Sequence, residues 1–324
     1  MMLGVIKETA GRLLYLLPKC PFQAQIEITN KCNLDCAMCP RENIGVEYRH
    51  MDFDIFKKII NKLSEVRLIT LTGWGEPFMH PNIFDMIKIC KKKGFQVQLT
   101  TNGIFPSDST SERIVNSGID SISFSIDTLN SPSKFGHKND EARVNIEKIL
   151  ELRNNRKPKV TVQSTIQKNG EDEICRIIRW GASVGIDNVN LGRLDQRFDS
   201  GLPRPSLKEE NEILDRTHKL GRENGVQIDC IQYSVGNGVQ REIYKILKHA
   251  LHRFGKYCLK TYSYVYINLN GDVTPCCGLP RYKIDNIIKN ELKNIWYNKK
   301  FIEFREKQSE VCGKCDLWSI KYLS

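Results

Sequence analysis

Short β-type runs alternate with helical segments along the first two thirds of the chain, and this alternation limits the possible folds more than any other feature. Six runs with alternating apolar residues cover residues 25–29, 68–72, 95–99, 121–126, 160–164 and 188–191. Apolar residues recur at helical spacing between these runs. Consecutive β–α units place parallel strands side by side with helices outside them. We therefore expect an α/β fold, either an open doubly wound sheet or a barrel.

Two of the helical segments have recognisable ends. Residues 52–63 begin with Asp52, whose side chain can accept a hydrogen bond from the first helical turn. Residues 81–93 stop before Gly94, which suits the left-handed backbone that often follows a helix. These end signals support the division of the chain into successive β–α units.

The pattern changes after Gly225, which predicts a second and smaller α+β domain. A strand-like run at 226–229 precedes a helical stretch at 241–254, and a last amphipathic helix is expected at 292–308. Between these helices, Asn270-Gly271 joins two β runs and predicts a hairpin, because this pair suits a tight turn.

We accordingly expect a core domain at 22–224 and a smaller domain at 225–324. Residues 1–21 form an amphipathic helical segment before the first strand. Its apolar stripe would pack on the protein, or the segment would make peripheral contact with an anionic membrane surface.

Composition excludes several protein classes and directs attention to the cysteines. Hydrophobic residues at 40% and charged residues at 27% are ordinary for a globular protein, and no apolar run reaches the length of a membrane span. The twelve cysteines have no export signal before them, so we expect a cytoplasmic protein whose thiols stay reduced. Clustered cysteines in such a protein point to metal binding. The net charge of +11 could serve nucleic-acid binding, but no recognised nucleic-acid module accompanies it.

Three cysteines follow the first strand at a spacing that suits an iron–sulfur cluster. Cys32, Cys36 and Cys39 form a C-x3-C-x2-C pattern. Three thiolates can hold three irons of a four-iron cluster and leave the fourth iron open. Structural zinc needs four protein ligands, and no fourth cysteine or histidine lies nearby in the sequence. The loop after a parallel strand is also where α/β folds bind their ligands.

With the segment Gly73-Trp-Gly75-Glu76-Pro that follows the second strand, this pattern resembles the radical S-adenosylmethionine (radical SAM) superfamily. The resemblance extends over most of residues 22–324. It implies a partial (βα)6 TIM-like barrel, with Cys32, Cys36 and Cys39 holding a [4Fe-4S] cluster that binds S-adenosylmethionine. It further implies that Gly73, Gly75 and Glu76 receive the ammonium group of that cofactor.

Other strand-end residues are expected to face the cofactor or the substrate by the same resemblance. Met38 stands where the family usually has an aromatic residue beside the adenine, so only its packing role carries over. The cofactor-binding residues expected on later strands are Asn102, Ser125, Asp127 and Ser164. Arg193, after the sixth strand, is a weaker catalytic possibility.

A second cysteine group lies in the smaller domain. It consists of Cys258, Cys276, Cys277 and the C-x2-C pair Cys312 and Cys315. On local grounds four cysteines could equally hold zinc. The group resembles the auxiliary iron–sulfur domain of some radical SAM enzymes (SPASM), in the single-cluster form called twitch. The resemblance implies one auxiliary [4Fe-4S] cluster held by Cys258, Cys276, Cys312 and Cys315, with Cys277 as a spare thiol.

The implied reaction is reductive cleavage of S-adenosylmethionine to a 5′-deoxyadenosyl radical, which abstracts a substrate hydrogen. A flavodoxin or ferredoxin would donate the electron. The favoured function is oxidation or other modification of a small polar or sugar-like substrate, or of a glycan. The alternatives are modification of a ribosomal peptide, epimerisation with Cys230 as hydrogen donor, and, more distantly, a zinc-stabilised nucleic-acid-binding protein. The sequence alone does not distinguish Cys276 from Cys277 as the ligand, nor does it name the substrate.

Overall fold

The computed structural model describes residues 18–45, 47–129, 139–154, 157–198, 201–230, 258, 260–312 and 315. These residues form two compact units. The first takes the described residues of Met1–Glu27, Met51–Thr70 and Ser234–Ser324, and the second those of Ile28–His50 and Leu71–Tyr233. The helix expected at 241–254, and all but the last residues of the segment 1–21, lie outside the described residues.

The first unit contains five strands in the order β10-β9-β8-β1-β2. The strands are β1 (Gln23–Ile26), β2 (Leu68–Thr70), β8 (Tyr264–Ile267), β9 (Asp272–Thr274) and β10 (Asp285–Asn286). Its helices are α1 (Phe53–Asn61), α7 (Leu292–Trp296), α8 (Lys299–Glu306) and α9 (Gln308–Cys312). Strand β1 pairs in parallel with β2 and β8, whereas β9 is antiparallel to both β8 and β10.

Two sequence signals in this unit are confirmed. The Asp52 side chain accepts hydrogen bonds from the backbone N–H groups of Asp54 (2.8 Å) and Ile55 (3.0 Å), and thereby caps α1. The predicted hairpin is formed by β8 and β9. Its turn places Gly271 at φ +77°, a conformation that glycine adopts without steric cost.

The second unit contains the parallel strands β3 to β7 in sequence order. The strands are β3 (Gln96–Thr101), β4 (Ser121–Ser125), β5 (Lys159–Ile166), β6 (Asn188–Arg193) and β7 (Gln227–Cys230). The helices of this unit are α2 (Ile83–Lys92), α3 (Thr110–Asn116), α4 (Asn139–Leu152), α5 (Glu171–Val184) and α6 (Leu207–Asn224). Each strand pairs in parallel with the next. This arrangement confirms the predicted α/β class.

Side chains of these parallel strands alternate between two faces. One face is apolar and almost fully buried, as Phe124 (0% exposed) and Val162 (0% exposed) illustrate. Helices α2, α5 and α6 pack on strands β3, β5 and β7 respectively. The opposite face carries polar, partly exposed side chains. We call six of these residues the polar face: Ser123, Ser125, Gln163, Thr165, Asn190 and Gly192.

The structure differs from the sequence prediction at two places. Strand β7 pairs in parallel with β6, so the β–α rhythm continues past Gly225 rather than stopping there. The single helix expected at 292–308 is divided into α7, α8 and α9. Asn298 interrupts it, because its side chain accepts a hydrogen bond from the Phe301 N–H (2.8 Å) and starts a new helix. No helix in the described ranges is long and apolar enough to cross a membrane.

Candidate functional site

The first cysteine group occupies a loop at the start of the second unit. Cys32, Cys36 and Cys39 are all free thiols and half-buried. The Cys39 N–H donates to the Cys36 carbonyl at 2.8 Å, which closes a turn between the last two cysteines. A short 3-10 helix, Pro40–Glu42, follows the third cysteine directly.

Two backbone hydrogen bonds join this cysteine loop to the Gly75–Glu76 segment. The Gly75 N–H donates to the Thr29 carbonyl (3.2 Å), and the Glu76 N–H donates to the Lys31 carbonyl (2.8 Å). A Cβ atom at position 75 would lie 2.3 Å from the Lys31 carbonyl oxygen. Glycine is therefore required here by close backbone approach, immediately before the first cysteine.

Glu76 is a buried carboxylate that also reaches the end of β3. Its Oε1 accepts from the Phe78 N–H (3.1 Å) and from Thr101 Oγ1 (2.8 Å), and its Oε2 accepts from the Asn102 N–H (2.8 Å). Burial raises the pKa of Glu76 from 4.5 to about 7, while these hydrogen bonds oppose the shift. Both oxygens thus have protein donors, so the carboxylate shapes the loop in addition to any contact with a cofactor.

Asn102 extends this network to the first cysteine. Its Nδ2 donates to Asn33 Oδ1 (2.8 Å) and lies 3.8 Å from Cys32 Sγ, while its Oδ1 accepts from the Ile104 N–H (2.8 Å). The Asn102 side chain therefore holds the cysteine loop in position. The structure brings Cys32, Gly75, Glu76 and Asn102 together, as their common strand-end location predicts.

The chemistry of the three thiols fits an iron–sulfur cluster. Burial raises the pKa of each thiol, and for Cys36 burial together with repulsion from Cys39 and Cys32 raises the pKa to about 12. Three adjacent thiolates are thus unstable without a compensating cation, which a metal cluster supplies. No three His, Cys, Asp or Glu residues of the described part of the chain lie close enough to hold a single metal ion. A cluster places each thiolate on a different iron, so its ligands lie further apart than those of one ion.

The polar face meets the cysteine loop at the ends of β4 and β5. Thr165 Oγ1 lies 3.7 Å from the Met38 sulfur, and the Thr165 N–H donates to Asp127 Oδ1 at 2.6 Å. Asp127 lies close enough to Cys36 to raise the pKa of that thiol by repulsion. Burial raises the pKa of Asp127 itself from 3.8 to about 6. Ser125 lies on the same face two residues earlier, as its spacing from Asp127 predicts.

Three sequence-predicted residues lie on the opposite, helix-facing side of their strands, and their predicted roles need correction. Ser164 is 1% exposed, and its hydroxyl has no hydrogen-bond partner among the described residues. Arg193 is buried and donates from Nε and Nη2 to Glu210 of α6, at 2.5 to 2.9 Å. Cys230 follows the buried Ile228 by two residues in β7. Ser164 alternates with the outward-facing Gln163 and Thr165, whereas Arg193, expected after the sixth strand, is instead the last residue of β6.

The second cysteine group lies in the first unit. Cys258, Cys276 and Cys315 are buried, and Cys312 is half-buried. The Cys315 N–H donates to the Cys312 carbonyl (2.8 Å), which closes the C-x2-C turn. Burial, with a smaller contribution from nearby Cys315, raises the pKa of Cys258 to about 11. This set of buried, neighbouring thiols suits a metal cluster for the same reason as the first group.

Gln308, the first residue of α9, connects Cys258 to the helix that ends at Cys312. Its Oε1 accepts from the Cys258 N–H (2.8 Å), and its Nε2 donates to the Cys258 carbonyl (3.3 Å) and to Thr261 Oγ1 (2.5 Å). Gln308 is 0% exposed. Sequence reasoning missed this residue, because a glutamine inside a helix gives no sign of a contact 50 positions away.

Cys276 and Cys277 have different surroundings. The Cys276 sulfur accepts a hydrogen bond from the Gly278 N–H (3.3 Å). A hydrogen bond with Cys277 and burial raise the Cys276 pKa most, and repulsion from Cys258 adds to the shift. Both cysteines interact with Tyr264 and Tyr266 of β8, and burial raises the pKa of both phenols well above 10. Cys276 is buried, as are Cys258 and Cys315, whereas Cys277 is half-buried.

Comparison with known proteins agrees with this geometry. A family model described as the radical SAM superfamily matches residues 26–181, and a SPASM model, described as an iron–sulfur cluster-binding domain, matches residues 258–316. The two matched segments contain the first and second cysteine groups respectively.

Relatives cover most of the chain. A tungsten-containing aldehyde ferredoxin oxidoreductase cofactor-modifying protein of Pyrococcus furiosus is 26% identical over 86% of this chain and 82% of its own length. An AdoMet-dependent heme synthase of Methanosarcina barkeri is 22% identical over 91% of this chain and 87% of its own length.

A solved structure has the same fold. Streptococcus suis SuiB bound to S-adenosylmethionine superposes with a TM-score of 0.73 at 17% identity, over 93% of this chain and 72% of SuiB. Radical SAM domains bind S-adenosylmethionine and a [4Fe-4S] cluster, and SPASM domains bind auxiliary iron–sulfur clusters. The chain belongs to the radical SAM superfamily of enzymes and carries a C-terminal SPASM-type iron–sulfur domain.

Proposed function

We propose that this enzyme oxidises or otherwise modifies a small, polar, sugar-like substrate by hydrogen abstraction. The observation that carries the proposal is the network joining Cys32, Gly75, Glu76 and Asn102, which fixes the cysteine loop at the strand ends beside the polar face. Bound to this loop, a four-iron cluster and S-adenosylmethionine supply one-electron chemistry that removes hydrogen from a substrate. The residues of the chain hold and orient these groups.

We assign Cys32, Cys36 and Cys39 to the cluster that binds S-adenosylmethionine. We assign Cys258, Cys276, Cys312 and Cys315 to one auxiliary [4Fe-4S] cluster. Four thiolates would leave no open iron in the auxiliary cluster, so this cluster suits electron transfer better than substrate binding. A flavodoxin or ferredoxin is the proposed electron donor, and the free thiols suit a reducing cytoplasm.

Two alternatives receive different support. Epimerisation with Cys230 as hydrogen donor is disfavoured, because this thiol is 6% exposed and lies on the helix-facing side of β7. Peptide modification is supported by a protein of the same fold, because SuiB has been crystallised bound to the precursor peptide SuiA. The six residues of the polar face are polar or glycine and offer little apolar surface to peptide side chains, and we therefore favour the sugar-like substrate.

Deuterium transfer tests this proposal. The reconstituted enzyme is incubated without oxygen with S-adenosylmethionine, a reductant and, in separate samples, deuterated sugars, cyclitols, glycans or peptides. Mass spectrometry of the product 5′-deoxyadenosine then shows whether it has gained deuterium. We expect deuterium from a sugar-like compound. Deuterium from a deuterated peptide, with none from any sugar-like compound, would favour the peptide alternative.

A further inference from the structure

Arg305 of α8 is a buried cation that has no carboxylate partner among the described residues. It is 4% exposed. Its Nε donates to the Thr261 carbonyl (3.2 Å) and its Nη1 to the Trp296 carbonyl (2.9 Å), while Nη2 has no hydrogen-bond partner in the described part of the chain. The guanidinium carbon lies 4.1 Å from the Trp296 ring centre and 3.7 Å from the Phe301 ring centre. A buried charge is costly unless an opposite charge compensates it, so these surroundings call for an anion.

Arg305 stays charged in this environment. Burial lowers the pKa of Arg305 from 12.5 to about 10, while interactions with Tyr262 and Tyr297 oppose the shift. A guanidinium group with this pKa is protonated at neutral pH. The aromatic rings and carbonyl oxygens around it stabilise a cation but do not neutralise its charge.

The second cysteine group supplies negative charge close to Arg305. Thr261, whose carbonyl accepts from Arg305, donates from its hydroxyl to the Cys258 carbonyl at 3.1 Å. Gln308, three residues after Arg305, binds both backbone groups of Cys258. Burial raises the pKa of Tyr262 most, and Arg305 and Cys258 act on it in opposite directions, so both lie near this phenol. Arg305 is therefore a close neighbour of a proposed cluster ligand.

Lys260 is a second cation beside this group. It follows Cys258 by two residues and is half-buried, and its Nζ lies 4.1 Å from the Tyr264 ring centre. Burial raises the pKa of Cys258, and a hydrogen bond with Cys277 together with burial raises that of Cys276. The charge of Lys260 opposes both shifts, so its ammonium group favours the thiolate form of two cysteines.

Other charges near the second cysteine group do not cancel these two cations. The groups that act most on the pKa values of Cys258 and Cys276 include no Asp or Glu of the described residues. The buried Glu27 acts on Tyr266 instead, and Glu306 is exposed, so that solvent screens its charge. Four further charged residues lie within two sequence positions of a cysteine of this group: Lys256, Glu310, Lys314 and Asp316. Their charges sum to zero.

We propose that Arg305 and Lys260 raise the reduction potential of the auxiliary cluster. A four-iron cluster held by four thiolates is negatively charged, and uptake of one electron makes it more negative. Nearby positive charge therefore stabilises the reduced form more than the oxidised form. Arg305 should have the larger effect, because solvent screens a buried charge less than a half-buried one. This inference rests on the auxiliary cluster of the proposed function and deepens it, since it gives two residues that bind no metal a role in electron transfer.

Potentiometric titration of anaerobically reconstituted protein tests the inference. Every sample carries Cys32→Ala, Cys36→Ala and Cys39→Ala, so that only the auxiliary cluster contributes. Dithionite supplies the electron, and electron paramagnetic resonance follows the reduced cluster. We expect Arg305→Met to lower the midpoint potential by about 59 mV, which is a tenfold change in the equilibrium constant for one electron. Lys260→Gln should lower it by a smaller amount, and added salt should diminish this difference.

Two variants are matched controls. Arg305→Lys keeps the charge but loses the planar fork of donors, and should retain most of the wild-type potential. Lys307→Gln removes a charge at an exposed position near Arg305 and should match the wild type. A purely structural role of Arg305 would give Arg305→Met and Arg305→Lys the same potential. Equal potentials in these two variants and the wild type would overturn the inference. If Arg305→Met fails to retain iron, a wild-type potential in Lys260→Gln would overturn it.

Metal analysis of the same samples separates this inference from the proposed function. About four irons per chain, without zinc, together with a reducible signal would support the auxiliary cluster. If that cluster is present and its potential is the same in every variant, only the role of the two cations is wrong. Stoichiometric zinc, or the absence of a reducible cluster, would refute the proposed auxiliary cluster and this inference with it.

Discussion

Gly75 and Glu76 connect the cysteine loop to the end of β3, although these segments are far apart in the sequence. The Gly75 and Glu76 N–H groups bind the backbone just before Cys32, and the Glu76 carboxylate binds Thr101 and the Asn102 N–H. The Asn102 side chain in turn contacts the Cys32 sulfur. The position of the first cysteine therefore depends on residues that are not themselves metal ligands.

Gly75→Ala should disrupt cluster binding at the first site. The added Cβ would lie 2.3 Å from the Lys31 carbonyl oxygen. The backbone at Lys31 cannot move aside as the end of a flexible side chain can. We expect the loss of about four irons on anaerobic reconstitution, measured by iron analysis. Gly181→Ala is the matched control, because the nearest atoms to its Cβ belong to the Ile186 side chain rather than to backbone of the cysteine loop. Full iron in Gly75→Ala would show that the loop tolerates displacement.

Glu76→Gln should change how the stability of the cluster-free protein depends on pH. Burial raises the pKa of Glu76 from 4.5 to about 7, so the folded state binds this proton more tightly than the unfolded state does. The contribution of Glu76 to stability therefore falls as pH rises from about 4.5 to about 7. A glutamine side chain cannot titrate, so the variant should lack this contribution.

Urea denaturation of both proteins across this pH range measures the difference in slope. In Glu76→Gln the new side-chain NH2 group would also face a backbone N–H group. Because both groups are donors, the hydrogen bond would be lost, which lowers stability by about 1–3 kcal/mol relative to the ionised carboxylate. An unchanged pH slope in Glu76→Gln would contradict the buried, titrating carboxylate.

Helix α9 links two parts of the second cysteine group through one side chain. Gln308 begins the helix and holds both backbone groups of Cys258, while Cys312 ends the same helix. A rigid element of this length fixes the spacing between the two cysteines. The break in the helix at Asn298 also affects the spacing between the cysteines, because it determines where the following helices begin.

Gln308→Ala should lower iron at the auxiliary site and leave the first site intact. Removal of the amide leaves the buried Cys258 N–H without its acceptor, which costs about 1–3 kcal/mol and loosens the ligand. Mössbauer spectroscopy of reconstituted protein should show the auxiliary signal reduced and the S-adenosylmethionine-responsive signal retained. Gln308→Glu, which keeps the acceptor, should restore part of the signal, and Lys307→Ala, at the exposed neighbour, should match the wild type. A wild-type auxiliary signal in Gln308→Ala would rule out this positioning role.

Much of the architecture could be predicted from the sequence, because local patterns determine it. Alternating runs indicated the parallel strands, Asp52 indicated the start of α1, and Asn270-Gly271 indicated the hairpin. The side of a strand on which a residue lies was harder to predict, since alternation fixes faces only once the register is known. Ser164 lies on the helix-facing side for this reason, while Arg193 lies there because β6 extends two residues beyond its predicted end.

The partners of Glu76 and Gln308 could not be predicted for a different reason. Both residues make hydrogen bonds to segments distant in the sequence, and no local pattern reports such contacts. The cysteine spacing was informative because metal ligands must be close to one another in any fold. Residues that support those ligands carry no such spacing rule.

Across the whole molecule, the two cysteine groups should hold about eight irons in two four-iron clusters. Cys276 is buried like Cys258 and Cys315, whereas Cys277 is half-buried. We therefore expect Cys276→Ala to lose about four irons and Cys277→Ala few or none. Iron and zinc analysis of both variants measures this asymmetry. Equal iron in both variants and the wild type would exclude Cys276 as a ligand, and stoichiometric zinc would exclude the electron-transfer role.

The most direct test is the formation of 5′-deoxyadenosine by a variant without the first cysteine group. The triple change Cys32→Ala, Cys36→Ala and Cys39→Ala is reconstituted without oxygen and given S-adenosylmethionine and a strong reductant. We predict no 5′-deoxyadenosine above the enzyme-free background, with about four irons retained at the second group. Formation of 5′-deoxyadenosine at the wild-type rate by this variant would contradict the assignment of these cysteines to reductive cleavage.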